Sequence, residues 1–427
     1  MIIRFERYKY NPIISPKNDW ETQGTFNPTA FMRNNRVYIV YRQISRNSIS
    51  TLGLAISDGY EIIDRIDEPI YVPRAPFEVH PDAHNKVNTL LKINPSKINW
   101  KYVSGGSYFG VEDPRICLFG DTVVLTYVAF NGVEPPRSAM STIKLKDFLN
   151  ERWDKWSKPV IITHPEIIDK SVVLFPKKFD DRLLFFHRIF PYIWADYVGE
   201  LNEFYNGRFL FGKPVIFTRP DKWDSRKVGA GSTPMETKFG WLLVYHAVSG
   251  WDEWYRSMNL RPEDFRVNDG YRYKAGLMIL EKDNPEKVFL RSDVPALEPE
   301  TWYELYHGAK PHVIYPTGAV IIKDKLLVYY GASDFFVCLA EFDLNILKEI
   351  IEKYAEESNR KPIIISETGK LVGRRSRSKP KRSKTKRRKV SNALSRNYIK
   401  TPKRYKRLHQ YLRYRRRRKR RWFKLRK

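Results

Sequence analysis

The stretch Asp121-Thr122-Val123-Val124-Leu125-Thr126-Tyr127 is a polar turn, an apolar run and a tyrosine, in that order. The order recurs at Asn35-Arg36-Val37-Tyr38-Ile39-Val40-Tyr41, at Asp181-Arg182-Leu183-Leu184-Phe185-Phe186-His187, at Phe239-Gly240-Trp241-Leu242-Leu243-Val244-Tyr245-His246 and at Lys323-Asp324-Lys325-Leu326-Leu327-Val328-Tyr329-Tyr330. Short runs rich in β-branched and aromatic residues, bounded by Gly, Asn, Asp and Lys, read as strands. Five such strands, spaced by about one four-stranded sheet each, predict an all-β chain folded as a five-bladed β-propeller. Two of the intervals are longer and leave room for extra loops. The competing reading is a large β-sandwich whose strands are alike by coincidence. In a propeller the inner strands of every blade bring side chains to one central pocket, so residues far apart in sequence can share a site.

After the fifth copy, Asp343 to Glu357 predicts a helix. Leu344, Leu347, Ile350, Ile351 and Tyr354 fall at spacings of three and four, and Asp343 suits the N-cap. Pro362 and an isoleucine run follow, and the composition breaks near Gly369. The expected organisation is a propeller over residues 1–342, a short C-terminal helix and linker over 343–369, and a highly basic tail over 370–427.

The net charge of +29 resembles that of a nucleic-acid binder until it is located. Of the 77 Lys and Arg residues, 29 lie in 370–427, which contains no Asp or Glu, so the tail carries the whole excess and residues 1–369 are formally neutral. Charge this dense opposes compaction and predicts a disordered tail. Its interleaved Tyr398, Tyr405, Tyr411, Tyr414, Trp422 and Phe423 suit stacking on bases or seating at an interface, so nucleic acid or an anionic membrane surface is the expected partner of 370–427. A solvated extension without a partner is the alternative. Cys117 and Cys338 each sit in an apolar run and read as core thiols of a reducing compartment. With no signal-peptide pattern and no long apolar run, the expected localisation is cytoplasmic.

The chemistry concentrates in Gly110-Val111-Glu112-Asp113-Pro114-Arg115. Two adjacent carboxylates, a proline and a guanidinium precede a β-type run. Pro114 is expected to push Asp113 towards an extended conformation at a strand entrance. Adjacent carboxylates beside an arginine are a means of moving a carboxyl pKa, as acid–base chemistry requires. Read alone, the same six residues also fit a salt-bridged turn.

Several ordered stretches then resemble glycoside hydrolase family 130, the β-mannoside phosphorylases and related mannosidases. They are Asn11-Pro12-Ile13-Ile14-Ser15-Pro16, Trp20-Glu21, Phe26-Asn27-Pro28, Tyr41-Arg42, the Gly110–Arg115 motif, Asp169-Lys170, Leu174-Phe175-Pro176 and His187-Arg188. Gly229-Ala230-Gly231, Gly240 to His246, Leu297-Glu298-Pro299, Tyr315-Pro316-Thr317-Gly318 and Tyr329 to Asp334 continue the series. The family fold is a five-bladed propeller. The resemblance implies that Asp113 is the general acid, its proton reaching the glycosidic oxygen through a sugar hydroxyl. It implies that Lys170 and His187 hold phosphate with an arginine matched by Arg137; Arg188 is added to that set as a neighbouring cation. Asp334 is implied to bind the sugar next to the scissile bond, and Asn27 and Arg42 belong to a pocket-facing motif. Glu112, Arg115 and His246 complete the expected substrate-binding set. Two departures, Ser232-Thr233-Pro234-Met235-Glu236 and Phe335 after Asp334, bear on sugar specificity more than on chemistry.

Charge separates the two activities of such a family. Inverting hydrolysis needs a second carboxylate to activate water. Phosphorolysis needs cations that hold phosphate and offset its repulsion from the acid. Lys170, His187, Arg188, Arg137 and His246 favour phosphate, while Glu112, Glu236 and Asp334 are the carboxylates available to a hydrolase. The expected activity is therefore cleavage of a β-linked mannooligosaccharide by inorganic phosphate with inversion, giving mannose 1-phosphate. A β-mannosidase is the alternative on the same fold, and a nucleic-acid or surface-binding protein the alternative from another class. No cofactor is expected beyond phosphate as co-substrate. The sequence has no histidine pair at ligand spacing, no cysteine cluster, no P-loop and no GxGxxG, so no metal site is predicted. Homo-oligomerisation, linkage and acceptor sugar are left open. Trp20, Trp241 and Trp251 are candidates for stacking on sugar rings, although Trp241 begins an apolar run and reads as core.

Overall fold

The computed structural model describes residues 2–83, 93–220, 222–249 and 272–357. Trp251 and residues 370–427 lie outside the described residues. The chain opens with β1 (Glu6–Arg7). Blade one is β2 (Gly24–Arg33), β3 (Arg36–Ile44), β4 (Ile49–Ser57) and β5 (Ile62–Arg65). Blade two is β6 (Phe109–Phe119), β7 (Thr122–Phe130), β8 (Arg137–Lys144) and β9 (Val160–Ile161). Blade three is β10 (Asp169–Phe179), β11 (Arg182–Ile189), β12 (Tyr192–Val198) and β13 (Lys213–Ile216). In blade four the innermost strand is broken into β14 (Lys227–Ala230) and β15 (Met235–Thr237), followed by β16 (Gly240–Val248), β17 (Tyr273–Leu280) and β18 (Val288–Arg291). Blade five is β19 (Ile314–Ile322), β20 (Lys325–Ala332) and β21 (Phe336–Asp343), and β1 completes it by pairing Glu6 with Glu341 and Arg7 with Ala340.

The five repeated runs are β3, β7, β11, β16 and β20, the second strand of each blade. Their continuous apolar character has a physical cause, because each is packed on both faces. Along β20, Leu326, Val328 and Tyr330 face blade four while Leu327 and Tyr329 face blade one. The other interfaces are equally apolar: blade one against two, two against three, and three against four. Five interfaces between five blades make a closed ring, so the fold is a five-bladed β-propeller. Trp241 is fully buried between blades three and four, as its place in an apolar run predicts. Cys117 and Cys338 are free thiols buried in two of the interfaces.

One contact between blades lies at the motif itself. Ile49 and Ser50 of β4 pair in parallel with Phe109 and Gly110 of β6. Gly110 has φ of 129°, and a Cβ there would lie 2.1 Å from the Ser50 carbonyl oxygen, so glycine is required. After the ring, the helix Leu344–Glu357 is capped by the Asp343 carboxylate, which accepts the Asn345 N–H at 2.8 Å. Its Leu347 and Ile351 are buried against blades four and five, with Leu344, Ile350 and Tyr354 at the margin. Among the described residues no helix is long and apolar enough to cross a membrane.

Candidate active site

The innermost strands carry one extra residue at the same level. Pairing of β2 with β3 shifts between Phe26 and Thr29, that of β6 with β7 between Glu112 and Arg115, and that of β10 with β11 between Lys170 and Val173. The β19–β20 pair shifts between Pro316 and Gly318. Such bulges bend a strand and re-aim side chains. At three of them the chain enters the left-handed region: Asn27 at φ 48°, Asp113 at 49° and Ser171 at 56°. Asp113 is thus not extended, contrary to the expectation from Pro114. The bulge overrides the proline's preference, and Asp and Asn tolerate this region better than most residues.

The bulges gather the acidic half of the pocket from blades one and two. Asn27 Nδ2 donates to Asp113 Oδ1 at 2.8 Å. Arg42, fully buried, donates from Nη1 to the same oxygen at 3.2 Å and from Nη2 to Glu112 Oε1 at 3.1 Å. Its Nε bonds Ser50 Oγ at 2.9 Å, and Nη2 also reaches the Ser104 carbonyl and Ser107 Oγ. The two neighbouring carboxyls move apart. Burial raises the Asp113 pKa, but Arg42, the Asn27 bond, Lys170 and Arg115 outweigh it, so the group is held below the usual carboxylate range. For Glu112 burial wins over Arg42 and Lys170, and its pKa is raised. Asp334, at φ 51° in the β20–β21 turn, is lifted to about 6 by burial, against Lys310 and Arg42 and with Asp113 and Glu112.

The opposite half is basic and comes from blades three, four and five. Lys227 Nζ contacts the Tyr273 hydroxyl and lies 4.2 Å from that ring's centroid. Lys310 Nζ lies 4.6 Å from the same centroid. Arg188 acts electrostatically on Tyr273, Lys227 and His246, and its buried Nη1 has no hydrogen-bond partner among the described residues. His246 stacks on Tyr315 at 4.5 Å between centroids and shares a 3.3 Å contact with Ser171 Oγ. Burial, then Arg188, Arg115 and Lys227, drive its pKa well below the usual value, so the imidazole is neutral. Among the described residues no ion pair joins Lys170, Arg188, Lys227 or Lys310 to a carboxylate. No group of three His, Cys, Asp or Glu side chains among them is placed to hold a metal.

Asn27, Arg42, Glu112 and Asp113 therefore form one hydrogen-bonded group, with Lys170 and Asp334 acting on it electrostatically. Arg188 and His246 belong to the basic half. Arg115 spans the two: it donates to the Asp113, Ala230 and Gly231 carbonyls and to the Tyr315 hydroxyl. It thus ties blade two to blade four rather than meeting a carboxylate. His187 faces blade two, and its Nδ1 meets Oδ2 of Asp169, on the neighbouring strand of its own blade, at 2.6 Å, both groups buried. Arg137 pairs with Glu134 at 2.5 Å. Glu236 is exposed on β15 between Lys177 and Lys282, away from the acidic half. Lys227, Tyr273 and Lys310 escaped the sequence reading. The signal available was weak, a lone lysine two residues before Gly229-Ala230-Gly231.

The family model for glycoside hydrolase family 130, described as β-1,4-mannooligosaccharide phosphorylase, matches residues 25–353. The 1,2-β-oligomannan phosphorylase of Thermoanaerobacter sp. (strain X514) is 27% identical, over 81% of this chain and 100% of its own length. The β-1,2-mannobiose phosphorylase of Listeria innocua serovar 6a is 30% identical over 58% of this chain and 61% of its own. The solved structure of a β-1,2-mannobiose phosphorylase from Listeria innocua with β-1,2-mannobiose superposes with a TM-score of 0.58 at 19% identity, covering 82% of this chain and 99% of that one. At that identity the likeness bears on the fold alone.

Proposed function

The chain belongs to glycoside hydrolase family 130, and we propose that it is an inverting β-mannoside phosphorylase that releases mannose 1-phosphate. The observation that carries this reading is the division of the pocket. A carboxylate held by Asn27 and Arg42 faces Lys170, Arg188, Lys227 and Lys310, which have no carboxylate partner among the described residues. Such a cluster suits a phosphate anion, which needs charge-assisted hydrogen bonds and no general base. A hydrolase base is poorly provided for. Glu236 is outside the pocket, and Glu112 is fully buried and held at Oε1 by Arg42 and Ser107. Among the described residues Asp334, and Glu112 through Oε2, are the carboxyls there that lack a hydrogen-bond partner.

Asp113 is the proposed acid, acting on the glycosidic oxygen through a sugar hydroxyl. With its pKa held low it is ionised in the open pocket and must gain a proton before it can donate one. Bound sugar excludes water and the arriving anion opposes a second negative charge, and both favour the protonated form. Asn27 and Arg42 orient it, and Asp334 is the proposed anchor for the adjacent mannosyl hydroxyls. Lys170, Arg188, Lys227 and Lys310 receive phosphate, with neutral His246 available as a hydrogen-bond partner. His187 and Arg137 are proposed in supporting places: Asp169 holds His187 at Nδ1 and leaves Nε2 without a partner among the described residues, and Arg137 pairs with Glu134. The two full-length relatives are named for β-1,2-linked substrates, so β-1,2-mannobiose is the first substrate to test. Turnover of β-1,2- and β-1,4-mannobiose with and without phosphate decides the matter. Phosphate-dependent mannose 1-phosphate supports the proposal, and phosphate-independent mannose sinks it in favour of a mannosidase.

A cytoplasmic location fits two free, buried thiols. Residues 370–427 are proposed as a separate arm for an anionic polymer, with nucleic acid the first candidate. Truncation after Gly369 should abolish DNA and RNA retention at low salt and leave phosphorolysis intact. Unchanged retention would sink this assignment.

A further inference from the structure

The phenol of Tyr273 is surrounded by cations. Lys227 reaches it from β14, Lys310 from the segment before β19, and Arg188 from β11. Among the described residues the remaining titratable neighbours are His246 of β16, 5.9 Å between centroids and neutral, and Tyr315 of β19 at 5.8 Å. Lys274, next along β17, pairs with Glu298. An ammonium can only donate, so Lys227 donates a hydrogen bond to the phenolic oxygen. Among the described residues that oxygen's own hydrogen has no acceptor. A phenolate in the same place needs none, and it offsets three cations that meet no carboxylate among those residues.

We propose that Tyr273 is a phenolate in the phosphate-free enzyme and takes up a proton when phosphate binds. Incoming dihydrogen phosphate breaks one O–H bond, and an O–H bond forms on Tyr273. The bound anion is then hydrogen phosphate beside a neutral phenol, and the pocket gains one negative charge in all. If the dianion enters instead, the same proton comes from solvent. Tyr273 thus holds the anion's place in the empty pocket and gives it up on binding. The electrostatics agree with the geometry. Burial raises the phenol's pKa, but Lys227, Lys310 and Arg188 outweigh it and bring it down to about 6. Lys227 is lowered to about 8, by burial first. Both partners are therefore charged around neutral pH.

This inference rests on the phosphate reading, and the test separates the two. Near-ultraviolet difference spectra of the full chain at about pH 7.5 should show the tyrosinate band of one residue. The band should be missing from Tyr273→Phe. Phosphate should bleach it in the wild type with the midpoint found by calorimetric titration. Phosphate binding without bleaching, or a wild-type spectrum like that of Tyr273→Phe, overturns the inference and leaves the phosphate site standing. No calorimetric binding of phosphate overturns both. The wild-type phosphate titration alone is decisive if the variant fails to fold.

Discussion

Asn27 and Asp113 occupy the same bulge position in neighbouring blades, at φ 48° and 49°, and are joined by a 2.8 Å hydrogen bond. Equivalent strained positions face each other across the inter-blade seam, and one orients the other. Strain of this kind costs about 1–3 kcal/mol per residue and persists where the surrounding structure enforces it. Asp113→Asn keeps the shape and removes the acid. Its kcat/KM should fall by about 10²–10⁴, with the thermal unfolding midpoint nearly unchanged. Asn27→Ala removes a hydrogen bond that favours the charged carboxylate. The Asp113 pKa should rise, shifting the corresponding limb of the pH profile of kcat/KM upward. An unmoved limb would deny Asn27 that role.

Arg42 is the only cation bonded to both Glu112 and Asp113 among the described residues. Arg42→Met leaves two buried carboxyls without their partner and should cost about 3–5 kcal/mol in urea unfolding. Adding Glu112→Gln and Asp113→Asn to that variant should recover more than half of the loss. No recovery would mean that Arg42 stabilises through packing on Phe26 rather than through charge.

The basic half should govern phosphate alone. Losing a hydrogen bond to a charged group costs roughly 1.5–3 kcal/mol, so Lys310→Met or Lys227→Met should raise the KM for phosphate about 10- to 100-fold. The KM for mannoside should stay within about twofold. A mannoside KM that moves instead would transfer these lysines to sugar binding.

Asp334 links pH to stability with a definite sign. Its pKa rises from 3.8 unfolded to about 6 folded, so between those values the native state binds more protons. Stability attributable to this group therefore increases as pH falls from about 6 towards 4, and the charged form costs on the order of 3 kcal/mol above that window. Asp334→Asn should be more stable than wild type at neutral pH and converge with it near pH 4, while losing activity. Equal stability of the two proteins at all pH values would refute the assignment.

The propeller was legible because β3, β7, β11, β16 and β20 are buried on both faces, which makes each an unbroken apolar run. The acid was legible because its motif is compact. The φ of Asp113 was not, because a bulge depends on the partner strand's register and Pro114 alone argues for extension. The basic half was illegible for a related reason. Lys227, Tyr273 and Lys310 are single residues in unremarkable contexts, and only the register of blade four, in which Val248 pairs with both, sets Lys227 beside Tyr273. Glu236 illustrates the reverse error: a carboxylate close in sequence to pocket residues is exposed because β15 pairs with the start of β16, at the opposite end from Gly229 and His246.

The pairing of Glu6 with Glu341 has a consequence for synthesis. Glu6 and Arg7 are synthesised long before Glu341 and Ala340, and find these partners only when nearly the whole propeller has followed. At about 5–20 residues per second that interval is on the order of tens of seconds. Until then the outer edge of blade five does not exist, and the apolar faces of blades one and four lack the neighbour that covers them. A nascent chain stalled before β21 therefore exposes two sticky surfaces, which makes late pauses in translation, rather than early ones, the hazard for this fold.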